Sequence, residues 1–422
     1  MTCNGGYVGT HGMKAARQAL DRCKVVLRLA WYAVMMIGVP GLDAADDTAK
    51  EAPQTGPVQT AYLDFKEAPF SFLNWNISVS RQSTPFRKEP DLSRTGMIRG
   101  TLEYGSHSTN GLSFIWDQPA GKLYLDLNRN QDFTDDPSGV FSSQNGQRGN
   151  IQTFSAVRVP LVFASGERNA VMDLNLYRFG SGCSAYAGLR SFWQAKITLA
   201  GRESQVGILE NPGARLSTAR SDRILVRPWD GRNKPFRADE VASVAVSFNP
   251  KLFVGNHAYA LNRRAVVRDG KTQLELQFTE EQPALGELRI TGDFVQRLVL
   301  EGGPYVVVLD KPVPVTKVPV GRYTQAAIRL DNNGTEAFRS PRSDGTKTIV
   351  ISDQKPALLE GGGPLTNFVA VTRRGPLLQF SYQVRGAGGD VYELASMNRA
   401  KPPEFAVYQG GKKIDSGRFQ FG

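Results

Sequence analysis

The chain has 422 residues, 41% hydrophobic and 22% charged, with a formal net charge of +11. That length accommodates two or three domains with ample buried core, and the composition excludes a disordered or fibrous chain. Its 43 glycines and 24 prolines favour a turn-rich all-β protein, while three histidines and three cysteines argue against a zinc-cluster or disulfide-framework protein.

Residues 14–28 carry Lys14, Arg17, Arg22, Lys24 and Arg28 against a single Asp21. The apolar run from Leu29 to Val39 follows, then Pro40, Gly41 and the small residues Ala44 and Ala45. A basic n-region, a short h-region and a small-residue site make a secretory signal peptide, so residues 1–45 are predicted to direct export to the periplasm or beyond. The run is shorter than the ~20 residues of a comfortable membrane span. An uncleaved N-terminal anchor is the alternative, and it is the sole membrane contact expected. Met13 competes with Met1 as the start.

Cleavage near Ala45 removes Cys3 and Cys23 and leaves Cys183, so no intramolecular disulfide remains and stability must come from packing or from a metal. Cys183 lies in a glycine-rich stretch, with only His107 and His257 left as bases, and is read as a packed thiol. The basic residues are scattered and form no stripe interleaved with aromatics, so no nucleic-acid partner is expected.

Residues 46–61 read as a polar linker, and residues 62–256 as an antiparallel β domain. Short alternating runs such as Leu112-Ser-Phe114-Ile-Trp116, Leu123-Tyr-Leu125 and Ile197-Thr-Leu199 carry the period-2 pattern of strands. Within this domain, Asp126, Asn128, Asn130, Asp132 and Thr134 fall on alternate positions, followed by Asp135 and Asp136. Calcium takes six to eight hard oxygen ligands, and alternate residues of a tight loop can turn their oxygens inward together. The expected ligands are Asp126, Asn128, Asn130, Asp132 and one of Asp135 or Asp136, with Thr134 offering its backbone oxygen. Gln131 stands where such loops usually place Gly, and Pro137 where a bidentate Glu would close the site. The competing reading is an Asn/Asp-rich turn held by its own side-chain hydrogen bonds without an ion. Residues 207–225 repeat the strand–loop–strand layout with too few acids to hold an ion.

Residues 257–352 are predicted to form a β-sandwich-like module, with a hairpin at Asp269-Gly270, where both turn residues must take positive φ. Residues 353–422 form a C-terminal β module that either stands alone or completes the preceding sandwich. It includes a hairpin around Gly410-Gly411. The fold class is therefore all-β, an N-terminal antiparallel β domain followed by immunoglobulin-like β-sandwich modules.

The signal segment, the loop LYLDLNRNQDFTDD, the strand SDRILVRPW, VPVGRY at 318–323 and the tail PPEFAVYQGGKKIDSGRFQFG together resemble uncharacterised secreted β-rich bacterial proteins, a group that carries over no activity. The Asp126–Asp136 loop is similar to EF-hand and dockerin-type calcium loops. The Val318–Tyr323 stretch is similar to strands of carboxypeptidase-regulatory-like and transthyretin-like sandwiches, which implies a fold and no chemistry.

No nucleophile elbow, zincin helix, Walker loop or dinucleotide fingerprint occurs. Asp117, Glu210 and Asp230, with Trp116 and Trp229, are candidate carboxylates and stacking platforms of a glycan site, although core tryptophans beside surface acids explain them more simply. The expectation is an exported, non-catalytic binding or scaffold protein of the cell envelope, with a structural calcium and an envelope polymer or protein as partner. The alternative is an envelope hydrolase acting on glycan or peptide, with accessory β-sandwich modules.

Overall fold

The computed structural model describes residues 56–419 apart from 73, 93–94, 105–109, 146–149, 164–165, 181, 212–221, 230, 232–244, 340–347, 376 and 395–402. The signal-like segment, most of the linker, His107 and Asp230 therefore lie outside the described residues. Strands dominate what is described, with no α-helix and a short 3-10 turn at Pro137–Gly139. The all-β expectation holds, including the antiparallel N-terminal sheet.

That sheet has eight strands in the order Val140–Ser142, Lys122–Leu125, Gly111–Asp117, Met97–Glu103, Asn74–Gln82, Gly182–Leu189, Gly166–Phe179 and Ile151–Phe163, every neighbour antiparallel. Alternation decides its faces. In Met97–Glu103 the residues Ile98, Gly100 and Leu102 are buried while those between them are partly open. Leu102, Phe114, Trp116, Phe154 and Leu174 pack into one core. Gly100 is required by close approach, because a Cβ there would sit 2.4 Å from the Ser80 carbonyl oxygen.

A second, longer sheet begins with Val246–Ser247, Arg223–Pro228, Arg202–Leu209 and Ser191–Leu199. It continues through Val58–Glu67, Lys271–Glu281, His257–Arg268 and Lys251–Val254. The strand Val58–Glu67 is its splice. Residues Val58 to Leu63 pair with Lys271–Glu281, and Asp64 to Glu67 pair with Ser191–Leu199. Pairing thus runs unbroken from the earlier to the later half of the sequence. Leu63, Trp193, Leu274 and Phe278 lie in the core of this sheet.

Tight turns follow the residues that tolerate positive φ. Asp269 and Gly270 (φ 50° and 70°) close the expected hairpin between Arg268 and Lys271. Ala200 and Gly201 (φ 52° and 72°) turn the chain between Leu199 and Arg202, joining two neighbouring antiparallel strands. Among the described residues, Lys251–Val254 pairs parallel with Val306–Asp310, and Leu285–Thr291 with Ala357–Glu360. Parallel pairing needs a long crossover rather than a tight turn, and the chain between each pair supplies it. The VPVGRY stretch is interrupted at Val320, placing Val318 in the strand Val315–Pro319 and Tyr323 in Gly321–Tyr323. The buried Tyr323 hydroxyl donates to the Pro319 carbonyl at 3.0 Å.

The chain divides into two compact units. One holds residues 55–368 and 383–401, including the eight-stranded sheet and the strands of the longer sheet named above. The other holds the described residues of 369–382 and of 402–422. In it the strands Glu404–Gln409 and Lys412–Arg418 pair around Gly410 and Gly411 (φ 55° and 80°), the expected hairpin. Phe380 stacks on Phe405 at 4.9 Å, and Phe405 and Tyr382 lie 5.0 and 5.2 Å from Phe419.

Candidate functional site

The strand Lys122–Leu125 ends at Asp126, whose amide still donates to the Ser113 carbonyl, so the sheet fixes where the loop starts. Asp126 is 1% exposed. Its Oδ1 accepts the Asn130 amide at 3.0 Å and its Oδ2 the Gln131 amide at 3.0 Å. The next alternate residues repeat the device. Asn128 Oδ1 accepts from the Asn130 amide, Asn130 Oδ1 from the Asp132 amide, and Asp132 Oδ1 from the Thr134 amide and hydroxyl. This chain of Asx turns curls the loop tightly and needs positive φ at Arg129 and Gln131, both 62°.

Asp135 accepts the side-chain amides of Asn128 and Asn130 at 3.0 and 2.7 Å, and Asp136 Oδ2 accepts the backbone amides of Leu127 and Asn128. All seven residues of the sequence-derived set are therefore in one loop network. Burial pushes the Asp136 carboxyl above its ordinary range, with the Asp126 and Asp135 charges adding to the shift and the two backbone amides opposing it. Asp132 is held below its ordinary range by the Thr134 hydroxyl and amide, assisted by Lys88, whose Nζ lies 3.2 Å from Asp132 Oδ2.

Tertiary contacts that no local spacing announces pin the loop. Phe133 is buried against Phe86 at 4.8 Å, beside Ile115 and Tyr124, and its amide donates to the Lys88 carbonyl. Arg129 reaches the Pro160 carbonyl at 2.9 Å. Where the chain leaves the loop, a Cβ on Gly139 would lie 2.2 Å from the Leu125 carbonyl oxygen, so no larger residue fits.

Among the described residues no three acidic, histidine or cysteine side chains converge as a metal-holding group. The loop's donors are instead mixed carboxylate and Asn oxygens. Each Asp126 oxygen accepts one of the hydrogen bonds above, and a carboxylate oxygen has a second lone pair to offer.

The carboxylates considered for glycan chemistry have local partners. Asp117 is buried and accepts the Ala120 amide at 3.2 Å in the turn after its strand. Trp116 is fully buried and donates to Gln152 at 2.6 Å, which removes it as a platform for a sugar ring. Trp229 is half-buried, with Lys196 Nζ 5.1 Å from its ring.

Glu210 belongs to a different constellation. Its Oε2 accepts the Trp193 indole N–H at 2.7 Å and pairs with Arg168. The Arg168 guanidinium lies 4.3 Å from the Phe163 ring, 4.8 Å from Trp193 and 5.3 Å from Phe65. Burial pushes its pKa down to about 10, against the pull of Asp222 and with a smaller contribution from Arg263. The cation remains charged at neutral pH. Asp222 in turn pairs with Arg263 at 2.6 Å and accepts the Asn211 amide. Phe163 and Arg168 come from the eight-stranded sheet, and Phe65 and Trp193 from the longer one, so this cluster ties the two sheets together. Sequence reasoning misses it. The single available signal is an Arg and a Glu beside otherwise apolar strand patterns.

Cys183 lies near the start of the strand Gly182–Leu189 and is partly buried, and burial raises its thiol pKa. His257 pairs with Glu280 at 2.7 Å. A protonated, partly buried thiol is a poor nucleophile.

No family model matches the chain, and comparison with curated proteins and with solved structures finds no match either.

Proposed function

We propose that the chain is an exported, non-catalytic β scaffold that binds a polymer or protein partner in the cell envelope, with calcium tying the Asp126–Asp136 loop. The observation that supports the metal reading is geometric: Asp126, Asn128, Asn130, Asp132, Asp135 and Asp136 are held in one tight loop by its own hydrogen bonds. A cation among these oxygens would offset the repulsion between the neighbouring carboxylates. Asp126, Asn128, Asn130 and Asp132 would hold the ion with Asp135 or Asp136 and the Thr134 backbone oxygen. An all-oxygen donor set suits a hard cation, and the absence of a closing Glu places the affinity near ~10⁻⁴–10⁻³ M. The ion's role is structural, since no disulfide would hold this long loop in the exported chain. The basic, then apolar, N-terminal segment supports export; among the described residues no helix is long and apolar enough to cross a membrane.

Thermal unfolding in excess chelator and in calcium tests this reading. At a calcium concentration ten times a ~1 mM dissociation constant, the expected stabilisation is roughly 1.4 kcal/mol, a shift of a few degrees. Asp126→Asn with Asp132→Asn should abolish the shift. Equal melting of the wild type in both buffers would leave a loop held by Asx hydrogen bonds alone. The shift should also fade in acid. A raised carboxyl pKa means that the folded state holds its proton more tightly, favouring folding at low pH and losing that contribution as pH rises through the folded value. Calcium competes with that proton, so its effect declines as pH falls through the elevated Asp136 value.

A further inference from the structure

A cleft of about 940 Å³ opens on the longer sheet of the larger unit, beside the Ala200-Gly201 and Gly255-Asn256 turns. Pockets of this size take ligands as large as a drug molecule or a short oligomer. Its lining holds five cationic side chains, Arg202, Arg227, Arg297, Lys311 and Arg329, against two carboxylates, Asp310 and Asp331.

The charges differ in what already engages them. Arg297 is buried, pairs with Asp310 at 2.8 Å and donates to the Val226 carbonyl, so it acts as a fixed floor. Arg329 pairs with Glu336 at 2.5 Å, and Arg227 Nε donates to the neutral Gln205 amide oxygen at 2.7 Å. Asp331 accepts the Gly334 amide. Arg202 and Lys311 are exposed at the mouth and form no ion pair among the described residues.

The rim is also preorganised. Gly255 (φ 60°) lies so close to the neighbouring turn that a Cβ there would be 2.9 Å from that of Ala200. The Ala200 amide donates to the Tyr259 hydroxyl at 3.0 Å. Lys311 itself takes a left-handed backbone, with φ 46°, and its amide donates to the Gln296 carbonyl. A rigid rim carrying unpaired cations above a fixed arginine floor concentrates positive potential in one concave place.

We propose that this cleft binds a linear polyanion through successive phosphate or carboxylate groups, with Arg202 and Lys311 as the first contacts. Guanidinium and ammonium groups both recognise such oxyanions, the former in bidentate fashion. The proposal deepens the binding reading above by naming the partner's chemistry. It does not use the calcium loop.

The test is fluorescence anisotropy of the full chain, in chelator, with labelled inorganic polyphosphate and labelled poly-glutamate as probes. Titrations run at low and physiological salt, about 0.05 and 0.15 M. The double variant Arg202→Glu/Lys311→Glu is compared with Lys122→Glu/Lys355→Glu, which changes net charge equally at exposed positions that do not line the cleft. Thermal melts of both variants confirm that they fold. At least one probe should bind the wild type, with affinity falling about tenfold or more in the cleft variant and less than about twofold in the control. Which probe binds separates phosphate from carboxylate sources. Absence of binding by both probes, or equal loss in the two variants, overturns the proposal. Because chelator is present throughout, failure of the calcium reading leaves this result intact, and failure here leaves the calcium melt intact.

Discussion

The Asp126–Asp136 loop and the Arg168–Glu210 cluster are two polar constellations in the same unit, assembled from opposite kinds of contact. Hydrogen bonds inside the loop span two to nine positions in sequence. The cluster gathers Phe65, Phe163, Arg168, Trp193 and Glu210 from separate places in the chain. The loop satisfies its charges with its own backbone and side-chain amides, burying Asp126 and Asp136 while Thr134 and Asp135 remain exposed. The cluster satisfies them with one another and with aromatic faces, at 12% and 5% exposure for Arg168 and Glu210. Polar sites built from near neighbours can therefore be read from spacing, whereas those built from distant segments exist only once two sheets meet.

Perturbing the cluster should have the largest effect. Glu210→Leu leaves the Arg168 cation buried without this partner, and loss of one member of a buried pair costs about 3–5 kcal/mol. Urea unfolding measures it. Adding Arg168→Met to Glu210→Leu should recover the part due to the stranded cation, leaving about 1–3 kcal/mol for the Trp193 indole N–H that loses its Glu210 acceptor. A loss below about 1 kcal/mol for the single variant would mean that water reaches the pair as it reaches the loop, erasing the contrast.

Asp126→Ala is next. It removes one of the two acceptors of the Asn130 amide and the acceptor of the Gln131 amide, and hydrogen bonds to a charged group contribute about 1.5–3 kcal/mol. The same denaturation measurement in chelator checks it without any contribution from metal.

Gln131→Gly should act in the other direction and least strongly. Gln131 holds φ at 62°, a left-handed conformation that costs an L-residue about 1–2 kcal/mol. Glycine removes that strain but adds freedom to the unfolded chain, leaving a net gain of about 0.5–1 kcal/mol. No gain would show that the Asx hydrogen bonds already accommodate the left-handed turn.

Short-range features are legible in the sequence. The Asp269-Gly270 and Gly410-Gly411 hairpins follow from residues that accept positive φ between two alternating runs. The strand character of Leu112–Trp116 and Leu123–Leu125 follows from period-2 apolarity, and the oxygen ladder of the loop from alternate Asp and Asn. The anchor at Phe133 is not legible, because a phenylalanine inside a polar loop acquires meaning only when Phe86 and Ile115 form the pocket beneath it. Nor is the splicing role of Val58–Glu67. The first part of that strand falls in the stretch that reads as linker, since both of its partners lie more than a hundred residues further along the chain, outside any local window.

The amino-acid sequence by itself determined the all-β class, the principal hairpins and the composition of the loop, because these depend on φ preferences, side-chain alternation and hydrogen bonds between near neighbours. Only the tertiary structure decided which carboxylates stand together, that Trp116 is sealed in a core, that Glu210 meets Arg168, and that five cationic side chains line one cleft. Those outcomes depend on strand order and register between distant segments, where the free energy comes from joint burial of surfaces that no single segment carries.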